Sequence, residues 1–405
     1  MFKKYLVVVL TLICICLCLP INTANNVYAL KSAKEIVTIN DMENFISRAG
    51  YNRSAGTRNE KTAASYLAEV MQSANLSYYG NMTNYIKEFS ISNGKSQNVI
   101  GVKKSAQENA KKVIIGAHYD NAYTLKGEQT KTNGVYDNGS GVVCLIGLIN
   151  EIASYSLPFD IIFVFYGAEE TGLEGSKNFV NSLSYIDKKN VLLAFNFDSI
   201  GVGDYTYFFA GDSANSYKKM FKNNSYSIRE MPLIKRVNLL ANYERYAYSH
   251  IGLMSDNSTY LKNGIKCITF FSGNLSHSGS GFIESTSCQN IMHTKNDNLQ
   301  FIVANYPNFI SKINDVANLT IDVILNEEFT KTMEKKEIDL FFFNNKLVVG
   351  GIFLICFMFL VVLKKKDDWW RGVYEPRRRF KGKKDKNIFS INTSKNDAKR
   401  INKKN

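Results

Sequence analysis

The chain is 405 residues long, with 45% hydrophobic residues, 50 Lys plus Arg, 36 Asp plus Glu and a net charge of +14. Such a length ordinarily predicts two or three domains, but both ends read as membrane-directed segments, which leaves room for one domain of about 300 residues. The basic excess is concentrated in residues 364–405, where 16 basic and 5 acidic residues give +11 and leave +3 for the rest. The charge is therefore not a nucleic-acid footprint, and no nucleic-acid partner is expected.

In chain order, Lys3 and Lys4 precede an apolar stretch over 5–19, Pro20 breaks it, and Val27-Tyr28-Ala29 makes a small-residue cleavage site. Residues 1–29 thus read as a signal peptide, with an uncleaved anchor as the alternative. Residues 30–330 carry no repeat and no proline-rich linker. Helical spacing of apolar residues predicts helices over 41–46 and 62–74, and alternation predicts a half-buried strand over 86–91. A short strand follows at 98–102. Continuous β-branched runs at 113–117, 159–166, 191–197 and 265–271 are those of strands covered on both faces. Helices at 141–153, 173–183 and 306–325 separate or follow them. The expectation is a three-layer α/β/α sandwich with a mixed, mostly parallel central sheet.

A juxtamembrane linker over 331–346 leads to 347–363, which contains no charged residue and predicts one C-terminal transmembrane helix. Lys364, Lys365 and Lys366, then Trp369 and Trp370, then Arg377, Arg378 and Arg379 place the basic tail, 364–405, in the cytoplasm against anionic headgroups. The expected location is the cell membrane, single-pass, with the domain extracytoplasmic. Cys14, Cys16 and Cys18 fall in the signal and Cys356 in the span, so Cys144, Cys267 and Cys288 are the exported thiols. Cys144 is expected to be a buried thiol, while the pairing of Cys267 with Cys288 is left open.

In sheets of this kind ligands bind beyond the carboxyl ends of the strands. His118 follows one strand directly, Glu169 and Glu170 follow another after Gly167, and Asp198 ends a third. Asp120 stands two residues beyond His118, where a carboxylate suits an outer hydrogen bond that fixes an imidazole tautomer. Asp137 opens a helix at a glycine turn, Asp137-Asn138-Gly139-Ser140-Gly141. Adjacent glutamates ending a buried strand are costly unless a metal or a proton offsets them, so one is read as a ligand and the other as a proton carrier. With His293 these residues are the constellation of a metal-dependent hydrolase. His250 and His277 lie in polar loops and are read as solvated. Tyr243, Tyr246 and Tyr248 are read as an aromatic loop that could supply an oxyanion hydroxyl.

The series His118-Tyr119-Asp120, Asp137-Asn138-Gly139-Ser140-Gly141, Glu169-Glu170-Thr171-Gly172-Leu173-Glu174-Gly175-Ser176, Asp198-Ser199-Ile200-Gly201 and His293-Thr294-Lys295-Asn296-Asp297 resembles metallopeptidase family twenty-eight, the co-catalytic zinc aminopeptidases. Gly56-Thr57, Asn98-Val99-Ile100-Gly101 and Ser255-Asp256 are weaker family-like features. The resemblance implies two zinc ions, one held by His118 and Asp198 and the other by Glu170 and His293, with Asp137 bridging. It further implies Glu169 as general base, Asp120 as the group orienting His118, and peptide substrates with a free N-terminus. Two zinc ions, three carboxylates and one hydroxide make a neutral cluster, which tolerates partial burial. The family's Ser-Asp-His appears here as Ser255-Asp256-Asn257, a departure that bears on substrate contacts. Glutaminyl cyclases share the scaffold, but tend to lack the Asn-Gly-Ser-Gly continuation after the bridging aspartate. Receptor-like ectodomains of the same fold have lost ligands, and here all five are present.

Overall fold

Thr38 starts the first helix, α1 (Ile39–Ala49), through a capping box: its Oγ1 accepts from the Asp41 amide at 3.3 Å and the Asp41 carboxylate accepts from the Thr38 amide at 2.7 Å. A computed structural model describes residues 33–334 apart from 93, 123, 126–127, 130–131, 212–216, 223, 232–254, 274, 278–282 and 286–290. These residues belong to one unit that ends at Ile338. Among the described residues no helix is long and apolar enough to cross a membrane. The signal at 1–29, the span at 347–363, the basic tail, Cys288, His250 and the three loop tyrosines lie outside them, as does the side chain of His277.

After α1 come α2 (Arg58–Ser73), β1 (Ser77–Tyr78), β2 (Ile86–Ile91), β3 (Gly94–Lys103), β4 (Lys111–His118) and the short hairpin of β5 (Thr124–Leu125) and β6 (Glu128–Gln129). A distorted turn at Val135–Gly139 leads into α3 (Ser140–Ile152), followed by β7 (Phe159–Tyr166), α4 (Glu174–Ser182), α5 (Tyr185–Asn190) and β8 (Val191–Phe197). The last third holds β9 (Tyr205–Phe209), α6 (Lys218–Lys222), β10 (Ile228–Glu230), α7 (Asn257–Lys262) and β11 (Cys267–Gly273). A second hairpin, β12 (Leu275–His277) with β13 (Ile283–Ser285), precedes α8 (Leu299–Asn305), α9 (Phe309–Ile324) and α10 (Phe329–Glu334).

The main sheet runs β1-β3-β7-β4-β8-β11-β9-β10, with β2 also paired to β3. Its centre, β7-β4-β8-β11, is parallel, while β3 and β9 flank it antiparallel. The strand pleat explains the two cores. Ile115, Phe163, Phe165, Phe195 and Phe197 point to one face, under α1, α2, α3 and α9. Ile114, Ile162, Val164 and Ala194 point to the other, under Phe179 and Val180 of α4 and Tyr260 of α7. A mixed sheet between helix layers is thus the architecture expected from the sequence, but it is not mostly parallel. Among the described residues four of its eight strand pairings are parallel and four antiparallel, because β1, β2, β3 and β9 join it in the antiparallel sense.

Three details differ from the sequence-based elements. The helix expected over 306–325 is α9, which starts only at Phe309 because Pro307 lacks an amide donor and keeps Tyr306 out of the helical region; the short α8 before it was not expected. The strand expected over 265–271 starts at Cys267. Strands β9 and β10 and helices α5 and α7 are too short for their periodicity to register. Cys144 is buried, and burial pushes its thiol well above the ordinary range; Cys267 is likewise a free, buried thiol.

Because β4, β7 and β8 are adjacent and parallel, their carboxyl ends deliver His118, the Gly167–Glu170 turn and Asp198 to one edge of the sheet. Gly175 lets α4 close onto that turn: a Cβ there would stand 2.2 Å from the Gly167 carbonyl oxygen. Asn98 secures the contact, donating to the Gly175 carbonyl at 2.9 Å and accepting from the Gly167 amide at 3.2 Å.

Beneath the same turn Glu60 is buried, accepting from Ser96 Oγ at 2.5 Å and from the Gly56 amide at 2.7 Å. Burial pushes its carboxyl up to about 7 from 4.5, against the pull of those hydrogen bonds. The folded chain therefore holds this proton where the unfolded chain releases it, so stability falls as pH rises from about 4.5 to about 7. Glutamine can keep both contacts, accepting from Gly56 and donating to Ser96, without the charge. Chelator-treated Glu60→Gln should gain on the order of 2–3 kcal/mol relative to wild type between pH 4.5 and pH 7.5. Denaturant titrations at the two pH values measure it, and a constant difference would show that Glu60 titrates normally.

Candidate metal centre

The residues singled out from sequence converge. His118 is buried at the end of β4, with Nε2 3.3 Å from Asp137 Oδ1 and 3.5 Å from Asp198 Oδ1. On the other side of Asp137, Oδ2 lies 2.9 Å from His293 Nε2, which is also 3.1 Å from Glu170 Oε1. One carboxylate therefore faces both imidazoles through different oxygens. Two three-residue groups result, His118 with Glu169 and Asp198, and Asp137 with Glu170 and His293, each with its ligand atoms within 4.8 Å of one another.

These donors fit zinc. Nitrogen and carboxylate ligands about 2.0–2.1 Å from a tetrahedral ion stand about 3.3 Å apart, and the His118 contacts to Asp137 and Asp198 are 3.3 and 3.5 Å. Electrostatics agree. Burial opposes a charge on His293, yet Asp137 and Glu170 push it up to about 11. His118 is likewise raised by Glu169, Asp120, Asp137 and Asp198 against its own burial. Asp137 is buried too, but the two imidazoles hold it well below the usual carboxylate range. Burial, then Asp137, pushes Glu170 up to about 7. A pocket that draws protons onto two histidines this strongly draws a divalent cation by the same field, the protons leaving as it binds.

Each ligand loop is tied down by side chains beyond the ligands. Asp120 Oδ1 and Oδ2 accept from the amides of Glu169 and Glu170 at 3.0 and 3.2 Å. Its main-chain oxygen lies 3.2 Å from His118 Nδ1, with its carboxylate at 3.6 Å. The imidazole is thus nearest the Asp120 main-chain oxygen rather than the carboxylate expected to orient it, and the carboxylate is bonded to the glutamate turn. Asn138 bonds the Asp198 segment, donating to the Phe197 carbonyl at 2.8 Å and accepting from the Ser199 amide at 3.1 Å. The Asp137–Asn138 peptide is cis. Asp297 accepts from the amides of Tyr136 at 2.6 Å and Asp137 at 3.1 Å.

Backbone conformation carries the same signature. Among the described residues, the non-glycine positions with positive φ are three asparagines, for which this is ordinary, and Ala168, Leu173, Ser199 and His293. Ala168 and Ser199 adjoin Glu169 and Asp198, and His293 is a candidate ligand itself. Left-handed non-glycine residues cost about 1–3 kcal/mol each and persist where surrounding contacts over-determine them, commonly at functional sites.

Sequence reasoning left four residues around the site without a role. Asn138 and Asp297 stand inside quoted motifs, but their work is on backbone groups that only the fold brings near. Arg53, fully buried beside the site, lies in a turn between two helices with no pattern to mark it. Asp256, noted only as part of Ser255-Asp256, is fully buried before α7, and burial pushes it up to about 7 against the pull of His118.

Comparison with known proteins places these features in a family. The chain is 33% identical over 117 residues to aminopeptidase YwaD of Bacillus subtilis, covering 29% of this chain and 24% of that protein. It is 27% identical over 191 residues to the alkaline phosphatase isozyme conversion protein of Escherichia coli, covering 44% and 55%. The chain thus spans less than two thirds of these curated relatives. Among solved structures, a Zn-dependent exopeptidase from Parabacteroides distasonis aligns with TM-score 0.51 at 17% identity, over 74% of this chain and all of that one. Porphyromonas gingivalis glutaminyl cyclase aligns with TM-score 0.51 at 17% identity, over 73% of this chain and all of that one. At this identity both establish the fold alone. The profile of peptidase family M28 matches residues 98–316, more than half the chain and the stretch that carries every candidate ligand, and the chain belongs to that family.

Proposed function

We propose that this protein is a zinc-dependent aminopeptidase, anchored in the cell membrane by a C-terminal helix with its catalytic domain outside, that removes N-terminal residues from peptides. The observation that carries this reading is Asp137 between two imidazoles, Oδ1 toward His118 and Oδ2 toward His293, because a shared carboxylate is what two neighbouring cations require. His118 and Asp198 would hold one ion, Glu170 and His293 the other, with Asp137 common to both. Zinc at these positions would supply Lewis acidity and a source of hydroxide near neutral pH.

The chain's own residues do the rest. Glu169 stands with His118 and Asp198, while Glu170 is committed to His293, which leaves the Glu169 carboxylate to handle protons. It takes one from the water that attacks the scissile carbonyl and gives one to the departing amine. Asp120 holds the two glutamates in register through their amides, so that one side chain serves each task. The relatives' names support an aminopeptidase, and the uncharged run at 347–363 followed by three lysines supports the anchor.

The test uses the full chain in isolated membranes, assayed on a panel of aminoacyl amides with and without chelator, and with protease added from the outside. Chelator-sensitive release of free amino acids from the membrane fraction, with the domain accessible and the tail protected, is the expected result. Pyroglutamate formation with one zinc per chain would favour a cyclase instead. Activity recovered only in the soluble fraction would remove the anchor.

A further inference from the structure

Arg53 is fully buried, yet its guanidinium spends its donors on main-chain carbonyls rather than on a carboxylate. Nε donates to the Tyr119 carbonyl at 2.8 Å, one terminal nitrogen to Asn133 at 2.6 Å and to Gly50 at 3.4 Å, and the other to Gly134 at 3.2 Å. A ring face of Phe45 lies beneath it, 4.8 Å from the guanidinium carbon. Tyr119 follows His118, and residues 133–134 lead into Asp137. The cation therefore ties the strand end that carries one imidazole to the segment that carries the shared carboxylate.

Asp297 grips that same segment from its other polarity. Its carboxylate takes the Tyr136 and Asp137 amides, and its main-chain oxygen takes the Asn133 amide at 3.2 Å and Thr132 Oγ1 at 3.1 Å. Asp297 stands four residues after His293. Carbonyls of the segment thus face a buried guanidinium while its amides face a buried carboxyl group. The peptide groups between them are polarised in the sense that strengthens both sets of bonds. Gly134, at φ +54°, allows the sharp path this requires: a Cβ there would stand 2.7 Å from the Asp137 carbonyl oxygen and from Asn121 Nδ2.

We infer that Arg53 and Asp297 act together, through the 132–137 backbone rather than through direct contact, as positioning residues that set the placement of Asp137 between His118 and His293 and hence the affinity of the centre for zinc. The inference rests on the two-metal reading above. It assigns Arg53 a role that a mere loop anchor would not have, because the affinity of a metal centre follows the placement of its shared ligand. Lysine could reach one of the four carbonyls but cannot span them, since its ammonium is a point donor where the guanidinium is a planar fork.

The test takes the full chain with Arg53→Lys, Arg53→Met, Asp297→Asn and the double variant Arg53→Met/Asp297→Asn, at a temperature where each remains folded by circular dichroism. Zinc affinity is read by competition with a chromophoric chelator. Exchange of the Tyr136 and Asp137 amides is read separately in metal-stripped protein. Each single variant to methionine or asparagine should bind zinc about 10–100-fold more weakly and exchange both amides faster, with Arg53→Lys between it and wild type. The double variant should lose no more than the worse single, because either change already frees the segment. Folded variants with wild-type zinc affinity, unchanged exchange, or losses that multiply in the double variant would each overturn the clamp. A wild-type chain that takes up no zinc would instead sink the reading of the centre itself, and the exchange measurement alone would then say whether the segment is gripped.

Discussion

Glu169→Gln should reduce kcat by about two to four orders of magnitude, the usual contribution of a positioned acid–base group, while zinc content stays near wild type. Glutamine keeps the shape of the side chain and leaves the Glu169 amide free to donate to Asp120 Oδ1, so the turn should hold. What it removes is an oxygen able to accept a proton from attacking water. The neighbouring glutamate cannot substitute, because Glu170 Oε1 already faces His293 Nε2 and the Ala122 amide, each at 3.1 Å. Steady-state kinetics with zinc analysis of the same preparation decide the matter. Wild-type turnover would remove Glu169 from the reaction. Loss of zinc in step with activity would make it a ligand to the ion at His118 and Asp198, beside which it lies.

That two roles compete for one glutamate shows what local sequence can and cannot convey. The pair Glu169-Glu170 at the end of a buried strand is visible in the chain because charge in such a place needs a reason, and the same logic exposes His118 and Asp198. Each of these signals is short-range: an apolar run, then a polar residue at the rim. The contacts that distinguish the glutamates are long-range, made by Asp120 49 and 50 positions away and by His293 123 positions away. The same holds for Asp297, which reaches the Asp137 segment across 160 residues, and for Arg53, which crosses 66 to reach Tyr119. Groups that act on backbone amides and carbonyls carry no residue-specific partner, so nothing in their own neighbourhood announces them.

The fold divides along similar lines. Strands β4, β7 and β8 are covered on both faces and read as largely apolar runs, so they were legible, and with them the parallel centre that places the candidate ligands. Strand β9, five residues rich in aromatics, gains its position by pairing with β11 on one side and β10 on the other. Helix α9 was legible from its apolar periodicity, with its start shifted to Phe309 by Pro307, whereas α8, seven residues long, is too short for a period to register.

Asp137→Asn should be the more damaging of the two changes at the centre, because it strikes metal binding and catalysis together. In wild type the carboxylate presents one oxygen to each imidazole, 3.3 Å to His118 and 2.9 Å to His293. An amide keeps one acceptor and turns an N–H pair toward the other side, where an ion would have to sit. It also deletes a negative charge from a buried cluster that is neutral only when all three ligand carboxylates are ionised, so a second divalent cation would enter an uncompensated field. Zinc stoichiometry should therefore fall to one or less per chain, with kcat/KM below that of Glu169→Gln. Stability supplies an independent reading: at a free zinc concentration of 100 times the dissociation constant, bound metal contributes about 2.7 kcal/mol to the folded state. Wild type should accordingly melt higher with zinc than with chelator, and Asp137→Asn should lose most of that difference. A variant that retained two zinc ions and the full zinc-dependent rise in Tm would show that the two cations do not share this carboxylate.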